Sequence, residues 1–218
     1  MTSTKPKVKI CGLKTAADVQ ACLSCAADFI GLVFYAPSPR AVTPQQAKEA
    51  LAPLTQTPVN KRPKITGLFV NPSDNALREI LAEIDLDLIQ LHGDETPERC
   101  GLIRGLFNTP VMKAIPVAVK QDLIDLEPYE KNCDWILFDT KSSDPAIKGG
   151  SGHSFDWSLL QGIRHTKPWM LAGGLTADNI TGALSILSPD ALDVSSGVER
   201  EKGVKDHAKI KDFITAVR

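Results

Sequence analysis

Long apolar runs are missing from this 218-residue sequence. No stretch approaches the roughly 18 unbroken apolar residues of a membrane helix. The opening Met1-Thr2-Ser3-Thr4-Lys5-Pro6 lacks the apolar core of a signal peptide. No membrane association is expected, and the chain reads as cytoplasmic. A strong excess of charge is missing too: 25 basic residues against 26 acidic ones leave a formal net charge of -1. That argues against a broad basic face for nucleic acid, while a small local anion site stays open. The five cysteines are odd in number and irregularly spaced, which fits reduced thiols better than a disulfide framework. Cys22 and Cys25 form a C-x-x-C inside a helical pattern, with no second pair to complete a zinc site.

Several signatures are absent as well. The first strand ends Ile10-Cys11-Gly12-Leu13, and after Gly150-Ser151-Gly152 the third glycine position is Phe155, so no dinucleotide fingerprint exists. There is no Walker loop and no G-x-S-x-G elbow, since Ser151 is followed by Gly152-His153. No His, Asp, Glu or Cys spacing points to a metal. Neither metal nor cofactor is expected, which leaves the chemistry to side chains. His153, His165 and His207 fall in loop or helical contexts and read as surface or packing residues without partners.

What the sequence does have is alternation. Short runs rich in Val, Ile, Leu and Phe alternate with segments of helical period, at roughly 20 to 30 residues per pair. Strands are expected over about 7–10, 28–34, 64–70, 86–91, 110–115, 135–138, 168–172 and 191–194. Helices are expected from Thr15, Thr43-Pro44, Asn75 to Glu83, Thr96-Pro97, Val119 to Leu126, Asp156 to Gln161, Ala177 to Leu187, and about Lys205 to Val217. Eight βα units of this total length predict one domain, 1–218, folded as an α/β (β/α)8 TIM barrel. The longest structureless connection runs from Thr140 to His153, a length typical of lids and binding loops.

In such a barrel the strands' C-terminal ends carry the chemistry. Those ends offer Cys11, Arg40, Asn71, His92, Asp139, Gly173, Gly174, Ser195, Ser196 and Gly197. The loops after strands seven and eight, with Gly173-Gly174 and Ser195-Ser196-Gly197, suit a phosphate, because glycines admit backbone N–H groups and serines add donors. Gly150, in Gly149-Gly150-Ser151-Gly152, is placed to fold over the same anion. Cys11 and Asp139 lie on strands one and six, across the mouth from each other, as an acid and a base of a proton-shifting isomerisation would. Lys9 shares a strand face with Cys11 and is expected to pair with Asp193 in the adjoining eighth strand. Arg40 reads as exposed on a proline-stiffened loop, its planar fork matched to a substrate carboxylate. His92 reads as a hydrogen-bond donor in the site.

These motifs, in this order, resemble the phosphoribosylanthranilate isomerase family of tryptophan biosynthesis. The resemblance rests on Lys9-Ile10-Cys11-Gly12, Gly31-Leu32-Val33-Phe34, Ser38-Pro39-Arg40, Gly67-Leu68-Phe69-Val70-Asn71 and Ile89-Gln90-Leu91-His92-Gly93-Asp94-Glu95. It continues through Leu137-Phe138-Asp139, Gly149-Gly150-Ser151-Gly152, Phe155-Asp156-Trp157, Leu171-Ala172-Gly173-Gly174-Leu175 and Asp193-Val194-Ser195-Ser196-Gly197-Val198-Glu199. It implies a ribulose-phosphate-binding barrel, a monomer or weak homodimer, acting on a small-molecule substrate without a cofactor. The implied reaction is an Amadori rearrangement in which Asp139 protonates the ribose ring oxygen and Cys11 removes the C2 proton. Arg40 would hold the anthranilate carboxylate. Two alternatives remain: a related aminoaldose isomerase of histidine biosynthesis, which an aspartate at position 11 would have favoured, and a catalytically silent sugar-phosphate-binding barrel.

Overall fold

The structure is a computed structural model and describes residues 5–141 and 155–218. Eight parallel strands close into a barrel in chain order: β1 (Lys7–Cys11), β2 (Phe29–Val33), β3 (Lys64–Phe69), β4 (Leu88–Leu91), β5 (Val111–Val117), β6 (Trp135–Thr140), β7 (Trp169–Leu171) and β8 (Ala191–Val194). Closure places Lys7 opposite Ala191 and Lys9 opposite Asp193. Side chains fill the interior and helices cover the outside, so strands such as β2 and β4 are buried along their whole length and read as apolar runs.

Strand starts are tied in pairs at the N-terminal rim. The aspartate just before each even-numbered strand accepts an N–H from the preceding strand: Asp28 from Val8, Asp87 from Ile65, Asp134 from Val111 and Asp190 from Trp169, at 2.7–2.9 Å. Inside, Phe29, Leu88, Met112, Leu137, Met170 and Ala191 form an apolar floor. Two residues further along the same strands, and therefore on the same face, Gln90, Asp139 and Asp193 replace Leu88, Leu137 and Ala191. The barrel thus turns polar toward its C-terminal mouth.

The outer helices start where caps place them. Thr15 and Asp18 form a capping box on α1 (Ala16–Ser24), and Thr43 with Gln46 does the same on α2 (Pro44–Leu51). Ser73 and Thr96 cap α3 (Asp74–Glu83) and α4 (Pro97–Phe107). Four expected helices differ. Over 119–126 the chain makes a 3-10 turn, Lys120–Leu123, because Asp122 accepts the N–H groups of Ala118 and Val119, and α5 (Leu126–Asn132) starts only afterwards. The segment 156–161 holds the 3-10 turn Trp157–Leu160, capped by Asp156 and followed by Gly162 at φ +75°. The helix expected from Ala177 starts only at α6 (Ile180–Ile186), because Thr176 and Asn179 hydrogen-bond each other in the turn before it, and the last helix, α7 (His207–Val217), begins beyond Lys205 because Asp206 caps it. Lys205 instead belongs to an unexpected hairpin, β9 (Glu199–Glu201) and β10 (Val204–Lys205), turned at Gly203. The described residues therefore hold seven α-helices where eight were expected. Among them, no helix is long and apolar enough to cross a membrane.

Candidate active site

Cys11 ends β1 with its side chain in the mouth, 4% exposed. Room for it exists because β2 offers a glycine beside it: a Cβ on Gly31 would come within 2.9 Å of Cys11 Sγ. Two residues back, Lys9 is fully buried and donates to Gln90 Oε1 at 2.8 Å and to Asp193 Oδ1 at 3.0 Å. The expected Lys9–Asp193 pair is therefore present. Burial works against the Lys9 charge, but Asp193 and Cys11 outweigh it and hold its pKa above the ordinary lysine value. At Cys11 burial dominates and pushes the thiol up, with Asp193 adding to it, while Lys9 and Lys205 pull the other way. The resting group is a thiol, with two cations near enough to stabilise a thiolate when one forms.

His92 follows β4. Its Nδ1 lies 2.9 Å from Gln90 Nε2 and its Nε2 lies 3.2 Å from Asp139 Oδ2. Asp139, 7% exposed on β6, also accepts the Thr140 N–H at 2.8 Å. Residues on four strands are thus joined across the mouth: Asp193 and Lys9, then Gln90, His92 and Asp139. The turn carrying His92 is clamped from below, where the buried Glu95 accepts N–H groups from Asn71 and Gly93, and Lys113 binds both Glu95 and the Gly93 carbonyl. Asn71, another strand-end candidate, serves this clamp.

Arg40 departs from expectation. It is 6% exposed and not a solvated loop arginine, because its Nε and Nη2 bind Glu199 Oε1 and Oε2 at 2.7 and 2.9 Å. The Pro39-Arg40 turn folds over the end of β1, so close to Gly12 that a Cβ there would meet Arg40 Cδ at 2.6 Å. Burial opposes the Glu199 charge, yet Arg40 and Lys205 together hold its carboxyl below the usual range. Lys205, from the unexpected hairpin, bonds Glu199, the Ser195 carbonyl and Ser195 Oγ.

Ser195 Oγ donates to the Cys11 carbonyl at 3.0 Å, so its hydroxyl secures the base of the site. Ser196 and Gly197 lie in the 3-10 turn Ser196–Val198 after β8. Gly173 and Gly174 follow β7 with φ of +86° and +64°, and Gly173 packs so tightly on Thr140 and Asp139 that a side chain would strike both. Among the described residues, neither glycine's N–H hydrogen-bonds to an acceptor. Gly150 and the rest of 142–154, His153 included, lie outside the described residues.

The remaining histidines do have partners, contrary to expectation. His165 contacts Glu130 at 3.3 Å before β7, and His207 contacts Asp18 at 2.9 Å. The His165 ring packs on Phe138 and Trp169. Cys22 is buried in α1, where burial first, and then Asp18, pushes its thiol up to about 12. All five cysteines are free thiols, and no cluster of metal-ligating residues occurs among the described residues. Gln90, Glu199, Lys205 and Gly31 act in this site without any strand-end signal. The available clue was a glutamine standing inside the otherwise apolar run Leu88-Ile89-Gln90-Leu91.

Residues 8–216 match the family model described as N-(5'phosphoribosyl)anthranilate (PRA) isomerase. A relative so named from Paramagnetospirillum magneticum is 46% identical over 215 residues, 97% of each chain. The crystal structure of phosphoribosyl anthranilate isomerase from Thermotoga maritima superposes with a TM-score of 0.85 at 34% identity, covering 97% of this chain and 98% of that one. A second such structure, in complex with reduced 1-(o-carboxyphenylamino)-1-deoxyribulose 5-phosphate, gives a TM-score of 0.81 at 32% identity over the same shares. On this agreement of family model, relatives and barrel, the chain belongs to the N-(5'-phosphoribosyl)anthranilate isomerase family.

Proposed function

We propose that this isomerase carries out the Amadori rearrangement of N-(5-phosphoribosyl)anthranilate to 1-(2-carboxyphenylamino)-1-deoxyribulose 5-phosphate, with Asp139 as general acid and Cys11 as general base. The observation that carries the proposal is the placement of these two buried groups on β6 and β1, facing across one polar mouth. Asp139 gives its proton to the ribose ring oxygen, and the ring opens to a Schiff base. Cys11 then takes the C2 proton and an enolamine forms, which tautomerises to the ketone.

The resting thiol suits this order of events. The positive Schiff base acidifies C2–H, and Lys9 and Lys205 stabilise the thiolate that removes the proton. The apolar wall of Val33, Leu68, Tyr35 and Val70 around Cys11 fits an aryl ring. Arg40 would take the anthranilate carboxylate with guanidinium donors beyond the two spent on Glu199. The N–H groups of Gly173 and Gly174, with Ser196 and Gly197, would take the phosphate, and Gly150 is proposed to close over it. The relative bound to the reduced product analogue supports this choice of ligand. The reaction as written uses side chains alone.

The test is turnover of phosphoribosylanthranilate by the Cys11→Ala and Asp139→Asn proteins. Each is expected to lose about 10²- to 10⁴-fold in kcat, with affinity for the reduced product analogue retained. Full activity in either variant would overturn that residue's role.

A further inference from the structure

We propose that Gln90 is a positioning residue that holds His92 as the neutral Nε2–H tautomer, so that Asp139 faces an uncharged donor and keeps the proton it must deliver. The inference rests on Asp139 being the acid of the reaction. It begins from donor and acceptor sense alone. The Lys9 ammonium has only hydrogens to offer, and it sits 2.8 Å from the Gln90 side chain, so the Gln90 oxygen must face it. The Gln90 amide group, a donor only, then faces His92 Nδ1 at 2.9 Å. Nδ1 must accept, and the ring proton is left on Nε2, the atom 3.2 Å from Asp139 Oδ2.

An imidazolium would carry hydrogen on both nitrogens. Its Nδ1–H would confront the Gln90 amide, and reversing that amide would confront Lys9. The direction is locked because Gln90 is fully buried and no rotation reaches water. The neighbouring charged groups Asp193, Glu95 and Lys113 are engaged with other partners. Asp193 is engaged by Lys9, while Glu95 and Lys113 are spent on each other and on the backbone of the turn. Among the described residues, Asp139 is the carboxylate placed against the imidazole. Beside an imidazolium, Asp139 would be held as a carboxylate and could not protonate the ring oxygen. Beside a neutral N–H it can carry a proton on the same group and still be oriented.

The histidine nitrogens of the full chain report the answer directly. In a long-range ¹H–¹⁵N correlation spectrum near neutral pH, with His92 assigned by its loss in His92→Gln, the expected pattern is a protonated Nε2 and a bare Nδ1. A doubly protonated ring, or hydrogen on Nδ1, would overturn the proposal without any variant of Gln90. In Gln90→Glu the carboxylate accepts from both Lys9 and His92. The ring should become doubly protonated, with kcat falling at least about tenfold and KM within about twofold. A doubly protonated His92 with undiminished kcat would overturn the link to Asp139. A fully active Asp139→Asn protein showing the expected tautomer would instead remove the acid role of Asp139 and leave the tautomer assignment standing.

Discussion

Replacing Gly31 by alanine tests whether the position of the Cys11 thiol governs the rate. In the β1–β2 register Gly31 stands beside Cys11, and an alanine Cβ would lie 2.9 Å from Sγ and 3.0 Å from Cys11 Cα. Ordinary contact needs about 3.5 Å, so Sγ must withdraw by about 0.6 Å. Rotating the thiol away does not relieve the second contact, because that one is to backbone; the two strands must part. Such overpacking costs about 1–3 kcal/mol. For a chain of this length that lowers Tm by about 2–12 °C. A reacting group misplaced by about 1 Å costs about 100-fold, so about 0.6 Å should cost tenfold or more in kcat. The assays are calorimetry and steady-state turnover of phosphoribosylanthranilate. A protein with lowered Tm but unchanged kcat would refute the role of thiol placement, and one unchanged in both would refute the contact itself.

Lys9→Met leaves Asp193 buried without its cation, which should cost about 3–5 kcal/mol and lower Tm by about 6–20 °C. Calorimetry checks this, and the Lys9→Met, Asp193→Leu double variant should regain most of the loss. Glu199 titrates below the usual glutamate range in the folded protein because Arg40 and Lys205 outweigh its burial. Its contribution is therefore fully present above the unfolded value of about 4.3 and is lost as pH falls through the folded value. Tm measured from pH 6 to pH 3 should drop in the acid range for the wild type, with a smaller drop in Glu199→Gln. At Cys11 burial raises the thiol, so its alkylation in the free enzyme, taken as the difference from Cys11→Ala, should accelerate only above the ordinary thiol range near about pH 8.5. A thiol already fully reactive at pH 7 would contradict the dominance of burial.

The barrel was legible because its signal is local and repeated. Each strand is a short apolar run, and the polar caps Thr15, Thr43, Ser73 and Thr96 open helices in the first four units. Legibility failed where a side chain bends its own backbone, as Asp122 does, and where a short turn such as Trp157–Leu160 satisfies a helical pattern without a helix. Cys11, His92 and Asp139 could be picked as candidates because strand ends carry chemistry in this fold, and the structure brings them to one mouth. Arg40 was misread as exposed because its partner is 159 positions away, on a hairpin that neither periodicity nor turn residues announced. Gly31 shows the same limit. Its need follows from the thiol on the neighbouring strand and not from any turn of its own.

The demands of the proposed chemistry also account for a lysine at the centre of the barrel, above the apolar floor. A buried thiol that must become a thiolate needs a nearby cation. A buried cation in turn needs a carboxylate, or burial would strip its proton. An imidazole that must stay neutral beside an acid needs a donor on its far nitrogen, and a glutamine gives that donor only if its oxygen is engaged elsewhere. The Lys9 ammonium has three hydrogens. It bonds Asp193 on β8 and Gln90 on β4, and its charge acts on the Cys11 thiol two residues along its own strand. One buried charge therefore supports the proposed base directly and orients the proposed acid through Gln90 and His92. Methionine, of similar length, would fill the space and supply neither these bonds nor the charge.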